Sequence, residues 1–94
     1  MSHLELVAST WARLRPAGLR ESARTSDQIA KAVVEIESPK GTAMIEAWEQ
    51  GCCLDVSVML EGTGNVRVLS AGPCNSREEV ERRLLELSHM LGTA

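Results

Sequence analysis

The residues able to do chemistry in this chain are few, and their spacing suits little of it. Three cysteines stand at Cys52, Cys53 and Cys74, and two histidines at His3 and His89. Cys52 and Cys53 fall in a stretch of strand-like alternation, where consecutive side chains point to opposite faces. They cannot close on one metal ion as a C-x-x-C pair can, and adding Cys74 and His89 yields no ligand spacing. For nucleophilic catalysis, both His lie near the ends, with no strained elbow or buried acid around a Ser or Cys. Gly62-Thr63-Gly64 sits between two strand patterns, a hairpin position and not the strand-to-helix turn that cradles phosphate. Glu46 and Asp55 form a pair of carboxylates, but nothing around them builds a cleft, and a solvated face is the plainer reading. These residues predict a protein that is not an enzyme and takes no metal or other cofactor.

What remains is binding chemistry, and it centres on Trp48. The chain has two Trp, no Phe and no Tyr, so Leu, Val, Ile, Ala and Met must build the core and each Trp needs a reason. Trp11 falls in a helical apolar stripe and reads as a core anchor. Trp48 is open to two readings: a second core aromatic, or an exposed anchor beside Glu46, the kind of residue that dominates binding hot spots.

The elements that position these residues follow from periodicity. Ser2 with Glu5 has the capping-box spacing, and Leu4, Val7, Trp11 and Leu14 recur at helical steps, predicting a helix that ends before Pro16. Residues 19–27, rich in Arg, Ser and Thr, read as a solvated connector, either a loop or a short irregular helix. Four strands follow, at 29–37, 42–50, 52–60 and 66–71, with period-two alternation cleanest at 52–60 and less decisive at 42–50, separated by turns at Ser38–Gly41, Gln50-Gly51 and Glu61–Asn65. Arg67 on the last strand is set to pair across to Asp55 or Glu46. Ser76 and Glu79 open a closing helix, in a second capping box, with Val80, Leu84, Leu87 and Leu91 as its buried stripe. The expected fold is one α+β domain over residues 1–94: helix, four-stranded antiparallel meander, helix, with both helices on one face of the sheet. The other face stays open.

Charge narrows the partner. Residues 1–25 hold four Arg against two Glu (+2), and residues 26–62 hold seven Asp or Glu against two Lys (−5). The sheet region is the acidic part, which argues against nucleic acid and allows a basic protein partner. The odd number of cysteines is no disulfide framework, no signal peptide is visible and no apolar run is long enough to span a bilayer. Those features predict a cytoplasmic protein, away from the membrane, as a monomer or weak dimer.

The segment from Met44 to Leu91 carries a layout seen elsewhere: Glu46-Ala47-Trp48-Glu49-Gln50-Gly51, then Leu54-Asp55-Val56-Ser57-Val58, a glycine turn, a short strand, and Ser76-x-Glu-Glu-Val80-x-x-x-Leu84-x-x-Leu87. It resembles the small bacterial immunity proteins of polymorphic-toxin and type VI secretion systems, and among them the TriTu-like partners of ADP-ribosyltransferase toxins. The resemblance implies one-to-one binding of a cognate toxin and occlusion of its active site. Joined to the strand pattern, it places the contact on Glu35, Glu37, Glu46, Trp48, Asp55 and Arg67. Two other classes fit the same composition: a small acidic secretion chaperone or adaptor, normally dimeric, and an interaction module that adds a partner strand to its sheet edge.

Overall fold

The computed structural model describes residues 2–26, 28–74 and 76–92. The first helix, α1 (His3–Leu14), begins as its capping pair dictates. The Ser2 hydroxyl accepts the Glu5 amide at 3.1 Å and the Glu5 carboxylate accepts the Ser2 amide at 3.2 Å. A second carboxylate reaches the same helix end from far along the chain: Glu49 accepts the His3 and Leu4 amides at 3.1 and 3.2 Å.

A five-stranded antiparallel sheet follows, in sequential order β1 (Arg20–Ser26), β2 (Lys31–Ser38), β3 (Gly41–Trp48), β4 (Cys53–Leu60) and β5 (Arg67–Ser70). The four-strand expectation therefore falls one strand short. Residues 20–26, read as a connector, pair along their whole length with residues 31–37; Asp27 lies outside the described residues. The strand escapes recognition because it is the sheet edge, exposed on nearly every residue, so its sequence carries almost none of the apolar alternation that a half-buried strand needs.

The core face is built from alternate residues. Ile36, Ala43 and Val58 form one cross-strand row, Val34, Ile45 and Val56 the next, and Ala32, Ala47 and Leu54 a third. Val7 and Trp11 of α1 and Val80, Leu84, Leu87 and Leu91 of the closing helix α2 (Arg77–Leu91) complete one continuous cluster with all of these but Ala32. Both helices thus pack on one face, α1 against β3 and α2 against β4 and β5. Only half of the second capping box forms. The Ser76 hydroxyl accepts the Glu79 amide at 3.1 Å, but Glu79 gives its carboxylate to Arg82 and Arg83 instead of turning back to Ser76.

Two details hold the sheet to the helices. Arg83 is buried, and its guanidinium donates to the carbonyls of Leu54, Gly72 and Pro73 at 2.8, 3.0 and 2.9 Å. At the sheet margin Glu21 faces the core side opposite Ile36. There it accepts the Trp11 indole N–H at 2.6 Å and pairs with Arg15 at 3.0 Å, so a carboxylate from the segment read as a solvated connector borders the core.

Candidate functional site

The sheet face turned away from the helices carries the predicted residues. Antiparallel register sets them in rows: Ser26, Lys31, Trp48 and Cys53; then Arg24, Val33, Glu46 and Asp55; then Ser22, Glu35, Met44, Ser57 and Val68; then Arg20, Glu37, Thr42 and Met59. Five of the six expected contact residues, Glu35, Glu37, Glu46, Trp48 and Asp55, therefore share one face. Arg67 does not join them. A register shift between Val56 and Ser57 sets it opposite Val58, a core-face position, so it bridges to neither Asp55 nor Glu46.

The unrecognised edge strand changes the electrostatics of this face. Arg24 pairs with Glu35 at 2.7 Å, Arg20 approaches Glu37 at 4.0 Å, and Lys31 pairs with Glu46 at 3.0 Å. Three cations answer four carboxylates, a formal balance of −1, so the face is a checkerboard and not the acidic surface that the composition suggested. The signal was present in the sequence as the i,i+4 pair Arg20 and Arg24, which share parity on a strand. The exposed Arg24–Glu35 and Arg20–Glu37 pairs contribute modestly to stability, roughly 0.2–1 kcal/mol each, while Lys31 and Glu46 are half-buried.

Trp48 resolves as a half-buried residue of the open face, with the Lys31 ammonium 4.7 Å from its ring centroid. Apolar neighbours extend the surface. Val33 and Met44 are half-buried at the centre, while Met59 and Val68 are exposed, Val68 by 63%. Hollows open on it. One of about 340 Å³ is lined by Glu35, Glu37, Met44, Met59 and Val66. Another, of about 670 Å³, lies at the Trp48 end between the β1–β2 turn and residues 71–72.

The arrangement offers paired charges and uncovered apolar side chains on one face. Among the described residues no group of three or more His, Cys, Asp or Glu could hold a metal ion. Cys52 leaves the strand and sits in a 3-10 turn at Gln50–Cys52, with a left-handed φ of 49°. Burial pushes the Cys74 thiol above its ordinary pKa, away from nucleophilic readiness. No described helix is long and apolar enough to cross a membrane. Comparison of the chain with protein-family models, curated proteins and solved structures finds no match.

Proposed function

We propose that this chain is an immunity protein, which binds a cognate bacterial toxin one-to-one in the cytoplasm and covers the toxin's active site with its open sheet face. It acts by occupancy and not by catalysis. The observation that carries the reading is a sheet face with no second layer among the described residues, apolar at its centre and laced with charge. Uncovered apolar surface on a small domain marks an interaction site, and Trp48 supplies the aromatic anchor. The face spans roughly 19 by 26 Å from strand spacing and length. That is about 500 Å², the larger part of the ~800 Å² per partner of a standard interface. Its contact residues are Glu35, Glu37, Glu46, Trp48 and Asp55, joined by Met44, Met59 and Val68. The resemblance of residues 44–91 to TriTu-like proteins makes an ADP-ribosyltransferase effector the toxin class to test first.

The test is co-expression of the tagged chain with the product of the neighbouring upstream gene. An equimolar complex, with relief of that product's toxicity, is the expected result. A chain that purifies alone beside a harmless neighbour would overturn the reading. A second reading has its own observation: β1 is a seven-residue edge strand, almost wholly exposed, with one side free for strand addition. Loss of partner binding on proline substitution along β1, with indifference to Trp48→Ala, would favour it.

A further inference from the structure

The open face leaves one charge unanswered. Its three cations are taken by Glu35, Glu37 and Glu46. Asp55, beside Glu46 in the same row, forms no ion pair among the described residues; one of its oxygens accepts the Gly72 amide at 3.0 Å. The same carboxylate lines the 670 Å³ hollow, together with Ile29, Trp48, Cys53, Ala71 and Gly72. Ile29 is 58% exposed at the rim, an apolar wall with no cover of its own. Residual negative charge, the only aromatic of the face and a hollow of about 670 Å³ thus coincide.

We propose that this hollow seats an arginine side chain of the protein partner. The aliphatic stem lies along Ile29 and Ala71, the guanidinium plane against Trp48, and the charge against Asp55. Lys31 does not repel it decisively, because Glu46 neutralises that ammonium and the local sum of Lys31, Glu46 and Asp55 is −1. Arginine fits better than lysine, since a planar, weakly hydrated cation both stacks on an indole and binds a carboxylate whose other oxygen is engaged. The assignment rests on the open face being a protein-binding surface and names what that surface recognises.

The test uses the full chain and a short blocked peptide, Gly-Arg-Gly, with its citrulline isostere as the uncharged control, followed by two-dimensional NMR. The Trp11 indole, buried and bonded to Glu21, serves as an internal reference for the Trp48 indole. The arginine peptide is expected to shift the Trp48 indole and the Ala71 and Gly72 amides, with a dissociation constant on the order of millimolar. The citrulline peptide should bind about fivefold more weakly. Asp55→Asn keeps an oxygen for the Gly72 amide and should erase that difference. Equal binding of the two peptides, or an arginine preference that survives Asp55→Asn, overturns the proposal. If Asp55→Asn does not fold, Ile29→Ser keeps the charge and removes the wall. It should weaken both peptides about threefold, the scale of one lost apolar contact, and no change would again overturn the proposal. A toxin that binds Asp55→Asn as tightly as the parent removes the arginine seat and leaves the immunity reading standing.

Discussion

Arg83 and Ser70 show how single residues of α2 and β5 set the stability on which the site depends. The Arg83 guanidinium serves three backbone carbonyls, those of Leu54, Gly72 and Pro73, where α2 meets the sheet. Arg83→Met keeps the stem and removes those donors, so it should lower unfolding free energy by about 2–3 kcal/mol in urea titration. Arg83→Lys should recover little, because one ammonium cannot span three acceptors. Ser70 is the opposite case: its hydroxyl is buried without a hydrogen-bond partner. Ser70→Ala should therefore leave stability unchanged or raise it by about 1 kcal/mol, read in the same titration. The sequence half-announced Arg83. It falls at the i+3 position between Val80 and Leu84, inside the buried stripe, yet its pairing with Glu79 also fits an ordinary solvated helix face. Which carbonyls need donors is decided by tertiary contact, and no local spacing records that.

Elements were legible in proportion to how much apolar surface they bury. Both helices and the three central strands announce themselves by stripe or alternation, and their bounds agree within a few residues. The edge strand β1 is held by hydrogen bonds to β2 and by ion pairs, so its sequence looks like a loop. The β2–β3 hairpin was legible from Pro39 and Gly41, and the structure adds why Gly41 is needed. Its φ is 148° and a Cβ there would lie 2.2 Å from the Met59 carbonyl oxygen. Gly41→Ala should destabilise by about 2–3 kcal/mol in thermal or urea unfolding. The start of α1 carries the pH response. The His3 and Leu4 amides hold Glu49 below the usual carboxylate range, and the Ser2 amide and hydroxyl do the same for Glu5. Arg82 and Arg83 lower Glu79. Each of these groups binds protons less readily folded than unfolded, so their contribution is complete above the unfolded value near ~4.3 and is lost as pH falls through the folded values. Melting temperature should drop on acidification below about pH 4.3, and Glu49→Gln should flatten that acid limb by lowering the neutral-pH melting temperature while leaving the acid end unmoved.

At the scale of the molecule, a two-layer α+β fold with an uncovered sheet face was readable from the chain, because two amphipathic helices need one apolar surface. The electrostatics of the open face was not. Composition assigned the acids to the sheet and the bases to the first quarter of the chain, and only the pairing of β1 with β2 brings Arg20 and Arg24 across to Glu37 and Glu35. Under the proposed function the surface would select by pattern, with paired charges around Trp48, Met44, Met59 and Val68, instead of attracting by net charge. Association with the proposed toxin should accordingly depend only weakly on ionic strength, against the steep dependence of a strongly acidic face. The central claim is that this face, and not the helical layer, meets the partner. Its most direct test is a calorimetric titration of the toxin with two variants that spare the core: Met59→Glu with Val68→Glu on the sheet, and Leu85→Glu, also exposed, on α2. The account predicts that the sheet variant weakens binding by at least about tenfold and that Leu85→Glu leaves it unchanged. Unaltered affinity for the sheet variant, with loss on Leu85→Glu, would contradict it.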